Sequence, residues 1–567
     1  MSLLAYYLIS MTSAAIYFHP EAYTTSGPKL MGRNSAGEGF LRGYLTHSKG
    51  DQFAALLAHP GHGQAFAEAV SRAGRQEPTH FLTRAGLQRL SEFGCIFFPG
   101  PGLGEHAWQR TVFGDAAWSI CGITHTICSA GAMDGLVGLL ANPVQSWDAV
   151  ICTSSAAKAA VMRMLQAQED FLAARLGAQK FILPQLPVIP LGIHSQDFAF
   201  TEEQRLAARQ ALEVDENTHV VLFAGRLSFH AKAHPLAMYQ ALELAAASLP
   251  PQQRLCLVQF GQFPNQHIAD AFAAAARLSA PSVTVVTLDG RLAENRDSAW
   301  ASADIFCSLS DNLQETFGLT PLEAMAAGLP CIVSDWDGYK DTVRDGVDGF
   351  RVPTAMPPGS LGTDLALRHA LEVDTYDMYC GHTSSLVAVD VAATAKAFSK
   401  LLASAELRQR MGQAAKERAR SDYDWAAIIP QYEALWAELG GIRRANAAKV
   451  KRLRHPWPAR MDPFAAFAGY VTETLLPETM LALVDQDVTA AQERLRAYLG
   501  LAMVNFAKFV LPSEEEVAHM LQALAAGPAS AAAMVHGIAP PRQVLAMRAV
   551  VWLMKMGVVQ RFEGHPR

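Results

Sequence analysis

The stretch SDNLQETFGLTPLEAMAAGLPCIVSD, residues 310–335, decides the fold. It follows Ala303-Asp304-Ile305-Phe306-Cys307-Ser308-Leu309-Ser310, which reads as a short buried strand. Pro321 to Ala327 reads as a helix that stops at Gly328 and Pro330, and Cys331-Ile332-Val333-Ser334 reads as a second buried strand. Strand, loop, helix and strand in that order form one unit of a parallel α/β sheet, whose ligands bind at the carboxyl edge of the strands. The loop at that edge carries Glu315, and Glu323 follows on the helix with seven residues between them. Gly318 lets the backbone approach a ligand, while the amides of Leu319 and Thr320 lie at a helix N-terminus, where free N–H groups and the helix dipole favour a diphosphate. A plainer reading competes. Thr320 can cap the helix, with Pro321 at its first position and Glu323 reaching back to the Thr320 amide. That explains Glu323 but leaves Glu315 without a role.

A second pattern lies upstream, where the strand Val220-Val221-Leu222-Phe223-Ala224 runs into Gly225-Arg226-Leu227-Ser228 and then Lys232. Two cations after a strand end can neutralise a departing diphosphate, a contribution that grows as charge develops in the transition state. The plainer alternative is a surface Arg and Lys flanking a turn. Between the two patterns, Val283 to Leu288 form a β-branched strand ending at Asp289-Gly290-Arg291-Leu292. Near the amino terminus, a strand from Ala14 to Phe18 precedes the glycine-rich run Gly32 to Gly39, which includes Gly37 and Gly39, and then a helix from Phe40. A glycine loop leading into a helix suits a phosphate neighbour. Gly122-Ile123-Thr124-His125-Thr126 follows a further candidate strand.

Taken together, residues 310–335 closely resemble the E-x7-E signature of retaining glycosyltransferases of family 4 with the GT-B fold. Gly225-Arg226-Leu227 with Lys232 resembles the Gly-Arg-Leu…Lys element of that family, the lysine standing one position later than in the commoner form. Residues 122–126 resemble the place where members present a histidine to the transferred sugar. Pro190-Leu191-Gly192-Ile193-His194 looks like the interdomain junction, with Leu191 and His194 in place of the usual Asn and Asp, and DYDWAAIIPQYEALWAEL (422–439) resembles the closing helix that returns to the first domain. The resemblance covers roughly residues 14 to 440.

It implies an α/β fold of two Rossmann-like domains facing across a cleft, the GT-B arrangement, plus a mainly α-helical extension. Residues 1–195, with a closing helix at about 424–440, are expected to form the acceptor-side domain. Residues 196–423 are expected to bind the nucleotide-sugar, and 441–567 to form the extension. By the same resemblance Glu323 accepts hydrogen bonds from the donor ribose and Glu315 approaches the sugar ring. An acceptor-only carboxylate suits a vicinal diol. Arg226 and Lys232 stabilise the leaving phosphate with the Leu319 and Thr320 amides beside Gly318, the base rests near Arg291 and Leu292, and His125 touches donor or acceptor. The implied reaction is metal-independent transfer from a nucleotide-diphosphate sugar with retention. In it the leaving phosphate helps take the acceptor proton during same-face attack. An epimerase or hydrolase on the same fold, and a non-catalytic scaffold acting through its tail, are the alternatives.

Length and composition agree. A chain of 567 residues is too long for one core and fits two α/β domains and something more. Half the residues are hydrophobic and the net charge is −6, so the surface as a whole is not built for nucleic acid. Cys121, His125 and Cys128 lie close in sequence, but no fourth ligand has suitable spacing, and buried thiols in a reducing compartment explain the eight scattered cysteines better. No Asp-x-Asp element comparable to that of metal-dependent glycosyltransferases is read in the chain, so no catalytic metal and no cofactor beyond the donor is expected. Met1 to Phe18 is uncharged but lacks a basic n-region, Ser and Thr interrupt it, and no other stretch approaches a transmembrane span. The expected location is cytoplasmic, with peripheral membrane contact as an option. Beyond 440 comes a basic run, Arg443, Arg444, Lys449, Lys451, Arg452 and Arg454, with no acid. It reads as a solvated linker, or as a surface for an anionic membrane or a phosphorylated acceptor. Residues 513–562 read as helix, turn, short helix, longer helix and strand, a winged-helix-like order. Arg542, Arg548 and Lys555 are sparse charge for DNA, which points instead to self-association or a protein partner.

Overall fold

Two six-stranded parallel sheets carry most of the chain. The computed structural model describes residues 13–24, 32–450 and 456–563, so the amino-terminal stretch before Ser13 and the basic residues Lys451, Arg452 and Arg454 lie outside the described residues. The first sheet comprises β1 (Ala15–Phe18), β2 (Phe53–Leu57), β3 (Thr79–Leu82), β4 (Cys95–Phe97), β5 (Ser119–Ile123) and β6 (Ala149–Ile151), in the order β3-β2-β1-β4-β5-β6. The second comprises β7 (Thr218–Ala224), β8 (Arg254–Gly261), β9 (Thr284–Asp289), β10 (Ile305–Ser308), β11 (Cys331–Ser334) and β12 (Gly349–Val352), in the order β12-β11-β10-β7-β8-β9. Both are doubly wound, each reversing direction once, between β1 and β4 in the first and between β7 and β10 in the second. The central strands are apolar on both faces because helices cover both sides. Val220, Val221 and Leu222 of β7 are fully buried, as are Cys331, Ile332 and Val333 of β11.

The chain crosses between the sheets twice, and the two crossings are bonded to each other. Ile193 donates its amide to the Tyr423 carbonyl at 2.8 Å and accepts from the Trp425 amide at 3.0 Å, while Ser195 Oγ donates to Asp424 Oδ2 at 2.6 Å. The closing helix then runs from Trp425 to Asn446. Its buried stripe of Trp425, Ile428, Ile429, Tyr432, Trp436 and Leu439 has helical spacing, and it packs on Phe40, Tyr44 and Phe97 of the first domain. Glu433 anchors it there by accepting from Ser48 Oγ at 2.8 Å and the Lys49 amide at 2.9 Å. This is the GT-B arrangement of two Rossmann-like domains with a returning helix. The helix runs past the expected end near residue 440, with Gly440 and Gly441 inside its last turns.

The glycine-rich run is corrected by the structure. Gly32 to His47 form one continuous helix, so Gly37 and Gly39 are helical positions and not a loop. Their lack of a side chain serves packing. A Cβ on Gly37 would strike the Ala22 carbonyl, and Cβ atoms on Gly39, Gly43 and Gly192 would press on the indole of Trp425. Burial of that indole outweighs the poor helix propensity of glycine.

Pro458 to Arg567 form a separate compact unit. Four helices, Val488–Leu499, Glu514–Gln522, Ala531–Val535 and Gln543–Lys555, pack around Leu481, Met520, Met534, Val550 and Leu553. A three-stranded antiparallel sheet completes it, with Met480–Leu483 between Ala529–Ser530 and Val559–Arg561. The helix order expected for 513–562 is present, but the central strand comes from upstream of it. Arg542 is committed to Glu516 through two hydrogen bonds of 2.7 Å, which removes one of the three cations considered for phosphate contact.

Candidate active site

The loops that follow β7 and β10, the two strands flanking the reversal of the second sheet, bring the sequence-predicted cations and carboxylates together. Arg226 lies just past β7 and donates to the Ala231 carbonyl at 2.9 Å, which holds the loop that carries Lys232. Lys232 Nζ pairs with Glu315 Oε2, and both side chains are largely enclosed. Burial by itself would raise the Glu315 carboxyl. The Lys232 charge and hydrogen bond, with the amides of Phe317 and Thr316, outweigh it and hold Glu315 below the usual glutamate range. Glu315 is therefore an anion locked to a cation at the strand edge.

Glu323 is in a different state. The helix spans Leu319–Ala326 with Gly318 at its N-cap and no side-chain cap, so Thr320 is inside the helix and the competing capping box does not form. Freed from that role, the Glu323 carboxyl is pushed up to about 7 by burial, which Arg296 and Lys232 only partly oppose. Gly318 has φ of +83°, and a Cβ there would collide with the buried Tyr339 ring, whose hydroxyl is hydrogen-bonded to Ser308 Oγ at 2.8 Å. Only glycine fits that turn.

His125 joins the same place from the first domain. It lies beyond β5, and its carbonyl accepts from Thr316 Oγ1 at 2.9 Å, while Ser154 Oγ donates to the Thr316 carbonyl at 2.6 Å. The residue after Glu315 is thus tied to the first domain at both its backbone and its side chain. Arg291 and Leu292 follow β9 at the same sheet edge. Both are exposed, with Arg291 paired to Asp289 at 2.5 Å. Gly37 and Gly39 are not part of this edge and instead pack as described above.

Three acids here escaped the sequence reading. Asp311 is buried beneath the loop, its carboxyl pushed up to about 7 by that burial, and it accepts from the His234 amide at 3.3 Å. Asp337, at a positive φ of 35° just after β11, bonds the Gly338 amide, and burial together with the Glu315 charge raises it well above the aspartate range. Asp-x-Asp triplets do occur in the sequence, at Asp335-Trp336-Asp337, Asp422-Tyr423-Asp424 and Asp485-Gln486-Asp487. In the first of them the two carboxylates do not converge, since Asp337 bonds the Gly338 amide and Asp335 lies 3.5 Å from Arg351. No group of three His, Cys, Asp or Glu side chains stands at metal-binding spacing among the described residues. Among the same residues no helix is long and apolar enough to cross a membrane.

The raised acids make a pH dependence. A carboxyl whose folded value exceeds its unfolded one contributes stability that is fully present below the unfolded value, about 4.5 for Glu323, and is lost as pH rises through about 7. Stability of the ligand-free protein is therefore expected to fall across that window, and Glu323→Gln should remove part of the fall. Thermal unfolding of both proteins from pH 4.5 to 7.5 checks this. Parallel curves would mean that Glu323 ionises normally.

Residues 218–364 match the family model described as glycosyl transferases group 1. The chain is 33% identical over 208 residues to the D-inositol 3-phosphate glycosyltransferase of Mycolicibacterium vanbaalenii, an alignment that covers 34% of this chain and 41% of that protein. It is 31% identical over 134 residues to the phosphatidyl-myo-inositol mannosyltransferase of Mycobacterium leprae, covering 24% and 26% respectively. The chain thus spans less than half the length of these curated relatives. Among solved structures, Anabaena HepE in complex with UDP superposes with a TM-score of 0.46 at 17% identity, over 77% of this chain and all of that one.

Proposed function

We propose that the chain is a metal-independent, retaining glycosyltransferase of family 4 that moves a sugar from a nucleotide-diphosphate donor to a hydroxyl acceptor. The observation that carries this reading is the Lys232–Glu315 pair at the reversal of the second sheet, with Glu323 on the helix behind it and His125 opposite. Similarity of residues 218–364 to group 1 glycosyl transferases supports it, since that span holds Arg226, Lys232, Glu315 and Glu323.

The donor's base rests against Arg291 and Leu292, its ribose hydroxyls donate to Glu323, and its diphosphate lies between Arg226, Lys232 and the amides of Leu319 and Thr320 at the helix start. An incoming diphosphate supplies Lys232 with a second anion, so the ammonium bridges phosphate and Glu315. As the bond from the anomeric carbon to the phosphate oxygen breaks, negative charge grows on the phosphate and is met by these fixed donors. The acceptor hydroxyl attacks the same face and its proton passes to the phosphate oxygen. Glu315 and His125 then bound the sugar from the two domains.

A donor screen that reads nucleoside diphosphate release with and without cell-extract acceptors tests the proposal. Acceptor-dependent release with a glycosylated product supports it. Release without any such product would indicate a hydrolase, and no release from any donor would contradict transfer.

The unit from Pro458 to Arg567 is proposed to act by self-association. The helix Gln543–Lys555 leaves Val544 and Val551 exposed, and Arg443, from the basic run, is drawn inward to the Ala116 and Ala117 carbonyls at 3.1 and 3.2 Å. Because the closing helix extends past Gly441, the informative truncation ends at Trp457. Full-length protein should sediment as a dimer or larger oligomer, and a chain ending there as a monomer. Identical behaviour at matched concentration would remove this role.

A further inference from the structure

Cys128, two residues past Thr126, has a partner far away in the sequence. Its Sγ lies 3.8 Å from Sγ of Cys380, which belongs to the second domain on the helix Tyr376–Ser384. Both side chains are buried, and two hydroxyls surround the Cys128 sulfur, Thr126 Oγ1 at 3.4 Å and Tyr376 Oη at 3.7 Å. Those hydroxyls are themselves 3.0 Å apart, so the thiol pair sits inside a small polar junction between the domains. The junction is on the same segment as His125, whose carbonyl holds Thr316 beside Glu315. The other six cysteines, Cys95, Cys121, Cys152, Cys256, Cys307 and Cys331, are buried in or next to the strands.

We propose that Cys128 and Cys380 form a disulfide when the protein meets a hydroperoxide, tying the two domains together at the edge of the cleft. The two sulfurs are already nearly in contact, and closing the bond requires each to move by about an ångström towards the usual S–S length of roughly 2 Å. The two thiols are also unequal. The hydrogen bond from Cys380, with those of Thr126 and Tyr376, holds Cys128 at about 7 against the burial that would raise it, whereas the same contact and burial push Cys380 up. Cys128 is the attacking thiolate and Cys380 the resolving thiol. The Cys128 thiolate attacks one peroxide oxygen, the O–O bond breaks, an alcohol or water leaves, and Cys128 becomes a sulfenic acid. The Cys380 sulfur then displaces the hydroxyl from that sulfur as its own proton leaves with it as water. Two thiols and one hydroperoxide become one disulfide, one alcohol and one water, and a dithiol reductant reverses the change.

The test uses reduced full-length protein exposed to dilute hydrogen peroxide under native conditions, followed by alkylation, digestion and mass spectrometry. The expected product is a crosslinked peptide pair joining Cys128 to Cys380. Cys380→Ser should abolish it and leave Cys128 as a sulfenic acid trapped by dimedone, and Cys128→Ser should leave Cys380 unreacted. The oxidised wild type should also unfold at higher temperature, since the bond closes a loop of 252 residues. A linked consequence rests on the glycosyltransferase reading: turnover should drop about tenfold or more, because each cycle needs the domains to part, and a dithiol should restore it. Mapping and unfolding do not depend on that reading, so failure of donor turnover alone leaves the bond established. Peroxide that oxidises the strand cysteines first, or a 128–380 crosslink found only after denaturation, would overturn the proposal. So would a native crosslink that raises neither the unfolding temperature nor the barrier to turnover.

Discussion

Lys232→Ala is expected to lower donor turnover by roughly two or more orders of magnitude, the scale of losing one charge contact to a developing oxyanion. The geometry adds a second effect. Without its cation, the Glu315 carboxylate keeps its enclosure and loses its main counter-charge, so wherever it stays ionised it stands as an uncompensated anion that repels the donor diphosphate. Adding Glu315→Gln to Lys232→Ala should therefore recover part of the nucleoside diphosphate affinity without recovering the rate. Arg226→Ala should lose rate on a similar scale, because its guanidinium is proposed to meet the diphosphate and also fixes the Lys232 loop through Ala231. Calorimetry with the nucleoside diphosphate and steady-state kinetics on folded variants separate the two effects. Normal turnover in folded Lys232→Ala or Arg226→Ala protein would sink the assignment of the cations.

What sequence reveals about this site depends on how local each determinant is. The strands of the second sheet were legible because helices cover both faces, which forces runs such as Val220–Ala224 and residues 331–333 to be apolar without interruption. The loops after them were legible because Gly225 and Gly318 sit at strand-to-helix turns that tolerate no side chain at their positive φ. Pairings between distant segments were not. Lys232 and Glu315 are 83 residues apart, and Cys128 and Cys380 are 252 apart, so neither pairing leaves a periodic trace. The run Gly32 to Gly39 misled for the opposite reason. Its composition is that of a loop, and the contacts that explain a tightly packed helix lie elsewhere in the chain, the Ala22 carbonyl against Gly37 and the indole of Trp425, nearly 400 residues downstream, against Gly39 and Gly43. The Thr320 capping box failed similarly. Gly318 starts the helix earlier than Pro321 suggests, which leaves Glu323 turned away from the cap and buried.

The wall that carries His125 depends on a pair of charges with no exposure at all. Arg110 and Asp148 are both completely buried, joined by two hydrogen bonds of 2.5 and 2.8 Å. Arg110 also donates to the Trp118 carbonyl at 2.9 Å, while Asp148 accepts from the amides of Ile120 and Gln145 at 2.8 Å each. Together they fix the start of β5 against the loop that enters β6, and β5 leads directly to His125. Arg110→Ala leaves a carboxylate buried without its cation and is expected to cost about 3–5 kcal/mol of folding stability. Replacing both, as Arg110→Met with Asp148→Leu, removes the stranded charge and should recover only part of that loss. The Ile120 amide would then be buried without an acceptor, at about 1–3 kcal/mol. Denaturant unfolding of the wild type and the two variants should rank them as wild type, double variant, then Arg110→Ala. A loss below about 1 kcal/mol for Arg110→Ala would mean that water or a neighbouring cation reaches Asp148, and the rigid wall behind His125 would then need another explanation.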